Sequence, residues 1–156
     1  MALTEGKAAP AFSLPGVDAK GAERVHTLKE YKGKRVILYF YPRDSTPGCT
    51  REAVDFSAES AKIKRAGAVV LGVSPNSVAA HTKFIEAQGI KFALLVDGDK
   101  KTAEKYGAYG EKKMYGKTSM GIIRSTFLID EEGKIERIWT KVKVAGHVEE
   151  VLDALK

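Results

Sequence analysis

The chain has 156 residues, a net charge of +6 and a single cysteine; hydrophobic residues make up 44% and charged residues 29%. That composition is ordinary for a globular protein and argues against a disordered chain, and the length favours one domain, here residues 1–156. One cysteine excludes an intrachain disulfide and a cysteine-rich zinc site, and no apolar run approaches the roughly 18–20 residues of a membrane span.

The N-terminus, MALTEGKAAPAFSLPGVD, lacks a charged region followed by an apolar core and does not read as a secretory signal. Together with the lone thiol this gives a cytoplasmic expectation. The basic residues fall in short scattered groups such as Lys62-Lys64-Arg65 and Lys112-Lys113, with no basic tail and no aromatic-basic stripe, so nucleic acid is not an expected partner.

Residues 36–41, Val-Ile-Leu-Tyr-Phe-Tyr, predict a strand buried on both faces, with Tyr39 and Tyr41 on one side and Phe40 on the other. Pro42 stops it, and a breaker-rich loop runs to Gly48. A helix is predicted over about 47–66, with Ala53, Phe56 and Ile63 inward and Gly67 as its stop. A buried strand at 68–73, a helix at 77–88 ended by Gly89, a strand at 92–96 and a short helix at about 100–106 follow. Residues 107–121, rich in Gly and Lys, read as a long loop. Strands at 125–130 and 134–140 flank Glu131-Glu132-Gly133 as a hairpin. A closing helix begins at about 147, with Val148, Val151, Leu152 and Leu155 on one face. Alternating strands and helices give an α/β fold with a central mixed sheet flanked by helices. His26, His81 and His147 are far apart in sequence, show no metal-ligand spacing and read as surface or loop residues; no metal or cofactor is expected.

The junction before the first long helix is the most informative stretch. Thr46 is a suitable N-cap and Pro47 a suitable first helical residue, which makes Gly48 and Cys49 the second and third. An anion at the third position is stabilised by unpaired backbone N–H groups and the helix dipole, so a thiolate is favoured there. At a reference pKa near 8.5, roughly 3% of a free thiol is ionised at pH 7. Making the thiolate dominant takes about 2.7 kcal/mol, whereas a helix terminus supplies about 0.3–2 kcal/mol. A cationic partner is therefore expected, and Arg124, leading into the apolar strand 125–130, is the best candidate. Glu52, one turn past Cys49, is either a second polar contact at the site or a solvated helix charge.

Pro42-Arg43-Asp44-Ser45-Thr46-Pro47-Gly48-Cys49-Thr50 resembles the peroxiredoxin signature, in the form found in the PrxQ, or bacterioferritin comigratory protein, subfamily. Gly6-Lys7-Ala8-Ala9-Pro10-Ala11-Phe12, Met114-Tyr115-Gly116-Lys117 and Gly121-Ile122-Ile123-Arg124-Ser125-Thr126-Phe127 extend the likeness over nearly the whole chain. The resemblance implies a thioredoxin-like fold and thiol-dependent reduction of hydrogen peroxide and alkyl hydroperoxides. It implies that Cys49 attacks the O–O bond and becomes a sulfenic acid. By the same resemblance Thr46 hydrogen-bonds the peroxide, Arg124 stabilises the thiolate and the developing charge, and Pro42 limits water access. The Cys49 N–H, with that of Gly48, contacts the other oxygen. Apart from the resemblance, strand alternation leaves Tyr41 either walling the pocket or, more in keeping with its type, packing in the core.

The departure from that pattern is a missing second thiol. The two slots at which relatives carry a resolving cysteine are Val54 and Ile85. The expected cycle therefore uses one cysteine and an external thiol: thioredoxin, glutaredoxin, glutathione, or Cys49 of a second copy in an oxidised dimer of an otherwise monomeric chain. The alternative reading is a redox sensor or holdase with little turnover.

Overall fold

The computed structural model describes residues 3–156. In chain order the elements are β1 (Ser13–Val17), β2 (Glu23–Thr27), a 3₁₀ turn (Leu28–Tyr31), β3 (Arg35–Phe40), α1 (Pro47–Ala58), α2 (Ser60–Arg65), β4 (Ala68–Ser74) and α3 (Val78–Gln88). They continue with β5 (Ala93–Val96), α4 (Lys101–Lys105), β6 (Tyr109–Met114), β7 (Lys117–Ile122), β8 (Ser125–Ile129), β9 (Ile135–Trp139) and α5 (His147–Leu155).

Seven strands form one mixed sheet in the order β2-β1-β5-β4-β3-β8-β9. β3 runs parallel to β4, and β4 to β5, while β8 lies antiparallel to β3 with Phe40 opposite Ser125. Side chains of β3 alternate between two cores, as the period of a strand requires. Ile37, Tyr39 and Tyr41 join Ala53 and Phe56 of α1, Phe84 and Ile85 of α3 and Val148 and Val151 of α5. Val36, Leu38 and Phe40 join Ala103 of α4, Tyr106, Ile122 and Phe127 on the other face. Helices thus cover both faces of a central mixed sheet, as the alternating pattern implied.

Three features differ from the sequence expectations. The helix expected over 47–66 is two helices, because the chain breaks at Glu59, whose N–H closes tightly onto the Phe56 carbonyl at 3.2 Å. Residues 107–121 are not a loop: β6 and β7 form a separate antiparallel hairpin. Its turn places Tyr115 and Gly116 at φ 52° and 76°, the geometry of a two-residue hairpin turn usually announced by Asn-Gly or Asp-Gly. The β1–β2 hairpin is hidden in the sequence by Pro15 and Gly16, which break a strand pattern. Gly16 is required there, since a Cβ would stand 2.5 Å from Leu95 Cδ2.

Gly72 has a similar duty in β4. A Cβ there would lie 2.8 Å from Leu94 Cδ2 and 3.0 Å from the Tyr39 ring, which itself stacks on Phe56 at 5.0 Å. Gly72→Ala is therefore expected to lower stability by about 1–3 kcal/mol through overpacking, read as a lower urea midpoint.

Candidate active site

β3 delivers the chain to the carboxyl end of the sheet, and residues 41–46 turn it into α1. Ser45 adopts φ 64°, a left-handed conformation that closes this turn. Pro47 is the first helical residue and Cys49 the third, as the sequence predicted. Thr46 occupies the N-cap position, but its side chain caps no helical N–H. Its hydroxyl instead donates to the Arg43 carbonyl at 2.9 Å. The first N–H groups of a helix have no intrahelical acceptor. With Pro47 lacking one and Thr50 bonded to the Thr46 carbonyl at 2.8 Å, the Gly48 and Cys49 N–H groups are the donors left for a ligand.

Cys49 is buried, with 1% of its surface exposed. Arg124 enters from the segment between β7 and β8. Its Nη2 donates to Cys49 Sγ at 3.2 Å and its Nη1 to Glu52 Oε1 at 2.6 Å. The expected cationic partner is therefore in contact with the sulfur, and one guanidinium bridges it to the carboxylate one turn along the same helix. Gly48 leaves room for this: a Cβ there would stand 3.3 Å from Arg124 Nη2. Pro42 is half-buried at the start of the loop.

Glu52 is not a solvated helix charge. It is fully buried, and its Oε2 has no hydrogen-bond partner among the described residues. Burial pushes its carboxyl up to about 7, with Arg124 pulling the other way. Tyr41 is buried in the same core cluster as Cys49, and its hydroxyl donates to Asp44 Oδ1 at 2.6 Å.

The three histidines correct the sequence reading, since all are buried. His81 of α3 places Nδ1 2.6 Å from Asp44 Oδ2 and Nε2 2.9 Å from the Leu95 carbonyl. Both ring nitrogens thus have an oxygen partner, one on the loop before Cys49 and one on β5. The Asp44 N–H donates to Asn76 Oδ1 at 2.7 Å. The loop before Cys49 is thereby tied to α3 and to the segment after β4. His147 meets Thr126 Oγ1 at 2.8 Å and packs edge-on against Phe56 and Trp139; burial, with Arg124 nearby, pushes it down to about 4. His26 shares a 2.8 Å hydrogen bond with Tyr31, away from Cys49. The partners of His81 and His147 were not visible as motifs, because each joins elements distant in sequence. Among the described residues no three Cys, His, Asp or Glu side chains converge as a metal site.

Residues 6–138 match the AhpC/TSA family. The chain is 47% identical over 155 residues to a putative peroxiredoxin bcp of Coxiella burnetii, covering 99% of this chain and 100% of the relative. It is 46% identical over 156 residues to peroxiredoxin Bcp of Bacillus subtilis, covering 100% and 97%. Among solved structures, Xanthomonas campestris bacterioferritin comigratory protein, described for its alkyl peroxide reduction activity, superposes with a TM-score of 0.86 at 44% identity over 97% of each chain. A mutant of Xylella fastidiosa PrxQ gives a TM-score of 0.90 at 35% identity, covering 99% of this chain and 96% of its own. The chain belongs to the AhpC/TSA family, among the peroxiredoxins of the Bcp/PrxQ type, and is a thiol-dependent peroxidase with a thioredoxin-like fold.

Two predictions follow from the buried charges. Between pH 4.5, the ordinary value for a glutamate, and about 7, the folded Glu52 keeps a proton that the unfolded one has lost. Its contribution is therefore fully present below about pH 4.5 and is lost as pH rises through 7, by roughly 3 kcal/mol. Denaturation of the wild type and Glu52→Gln across pH 4–8 should show the wild type losing stability relative to the variant over that window. His81→Ala leaves the Asp44 carboxylate buried without its partner and is expected to cost about 3–5 kcal/mol, measured by chemical denaturation at pH 7.

Proposed function

We propose that Cys49 is the peroxidatic residue of a one-cysteine cycle run by the chain as a single domain. The observation that carries this reading is the Arg124 guanidinium in contact with both Sγ and Glu52. A positive charge against sulfur at a helix N-terminus favours the nucleophilic thiolate. The thiolate attacks one peroxide oxygen, the O–O bond breaks, and the other oxygen leaves with a proton as water or an alcohol. Arg124 stabilises the charge that develops on the leaving oxygen, and the Gly48 and Cys49 N–H groups face the same space. Thr46, its hydroxyl proton committed to Arg43, offers lone pairs to the peroxide O–H. Pro42 shields the site from water. Tyr41 serves through Asp44, as an anchor of the loop rather than a peroxide contact.

The second half of the cycle belongs to another molecule. Val54 is exposed and Ile85 is buried in the core, so both slots for a second thiol are filled by hydrocarbon. Thioredoxin, glutaredoxin and glutathione are the candidate reductants. The burial of Cys49 works against a Cys49-linked dimer, because two such sulfurs do not meet unless α1 opens. A thiol that must return to its reduced state fits a reducing compartment such as the cytoplasm. No helix among the described residues is long and apolar enough to cross a membrane.

Rapid mixing with hydrogen peroxide tests the reading. Wild type should lose one thiol per chain with one equivalent of peroxide, and Cys49→Ser should consume none. Arg124→Met should slow the reaction by about 10²–10³. A Cys49 that reacts no faster than free cysteine would sink the proposal. Consumption that stops at one equivalent in the presence of all three reductants would identify a sensor rather than a catalyst.

A further inference from the structure

The β6–β7 hairpin lies outside the main sheet and is hinged on the segment that presents Arg124, since the Ile123 N–H bonds to the Ala108 carbonyl at 2.7 Å. Gly110 and Gly121 are opposite each other across it. Strand alternation puts Lys112 on their side and Glu111 and Lys113 on the other. The two inner glycines let side chains lie flat: a Cβ on Gly121 would stand 3.1 Å from Lys112 Cδ, and one on Gly110 3.2 Å from Ile123 Cδ1. Glu111 and Lys113 are exposed, whereas Lys112 is half-buried. Among the described residues Lys112 forms no ion pair, while Arg124 has Glu52. Burial and Arg124 hold the Lys112 ammonium below the ordinary lysine range, and negative charge at Cys49 acts in the opposite direction.

A half-buried lysine beside an arginine, with no acid of its own, is a costly placement that structural pairing does not explain. Its use emerges from the charge balance of the one-cysteine cycle, on which this inference rests. In the reduced state Arg124 touches Cys49 and Glu52, and Lys112 is a second cation within electrostatic reach of Arg124 and Cys49. Oxidation changes that: thiolate, peroxide and one proton give sulfenic acid and water, or an alcohol. One negative charge is gone, and Glu52, titrating near 7, offsets the two cations only in part. The oxidised site is left with an excess of positive charge at the step that requires an incoming thiol.

We propose that Lys112 and Arg124 form a cationic subsite that draws a small thiol bearing carboxylates to oxidised Cys49. Lys112 holds a carboxylate of the thiol, which sets its sulfur toward Sγ. The incoming thiolate attacks Sγ, the S–O bond breaks, and hydroxide leaves as water with a proton from solvent. A mixed disulfide results, and a second molecule of the thiol displaces Cys49 as thiolate and departs as the symmetrical disulfide. Small size follows from access, since only 1% of the Cys49 surface is exposed.

Glutathione and its ethyl ester share one thiol and differ by a carboxylate charge, which makes them a matched pair of probes. Protein oxidised with one equivalent of hydrogen peroxide is mixed with each, and formation of the mixed disulfide is timed by mass analysis. Wild type should react about fivefold faster with glutathione at low ionic strength, the size of a partly exposed ion pair, and the ratio should shrink as salt is added. Lys112→Met should bring the ratio close to one, Lys112→Arg should retain it, and Lys113→Met, on the outer face, should also retain it. A ratio near one in the wild type, or one that survives Lys112→Met, overturns the subsite. Failure of Cys49 to take up peroxide is read before any thiol is added, and overturns the peroxidatic reading together with the subsite.

Discussion

One guanidinium holds the site together. Arg124 donates to the Cys49 sulfur through one nitrogen and to the Glu52 carboxylate through another, with the sulfur and the carboxylate both removed from water. Neither acid would sit there alone: an isolated charge in such surroundings neutralises instead, as the position of Glu52 near 7 illustrates. The arginine in turn needs both, because a half-buried cation without anions is itself unfavourable. The sheet order makes this possible. β8 runs antiparallel beside β3, so the start of one lies at the end of the other, with Ser125 opposite Phe40. The residue before β8 and the loop after β3 therefore meet at the same edge.

The loop is fixed from the opposite side by a second buried pair. Asp44 accepts from Tyr41 and His81 and is held through its backbone by Asn76, so β3, α3 and the β4–α3 connection converge on the residues just before Thr46. That framework sets the direction of α1 without using the helix-capping capacity of Thr46. The N-terminus of α1 is left without a side-chain cap, with the thiol in its first turn. The same rigidity suits a chain with Val54 and Ile85 where another thiol would stand: nothing in the cycle requires Cys49 to travel to a partner on α3.

The buried strands at β3, β4, β5 and β8 were legible because a short, mostly apolar run is a local signal, and the helix starting at Pro47 because its capping chemistry is local too. The β6–β7 hairpin escaped because its turn uses Tyr-Gly and its strands are rich in lysine and glycine. The break at Glu59 escaped for a similar reason, since nothing in the helical pattern between Phe56 and Ile63 interrupts it.

The sequence by itself determined the nucleophile and the form of the cycle: one cysteine at the third position of a helix, after Thr46 and Pro47, and no second thiol anywhere. Those are facts of identity and short-range spacing, which a chain carries before it folds. Only the tertiary structure decided the partners. Cys49 and Arg124 are 75 residues apart, and Asp44 and His81 37 apart. Charge–charge contacts between distant residues depend on which strand lies beside which, and strand order is set by burying both faces of the sheet rather than by any residue at the site.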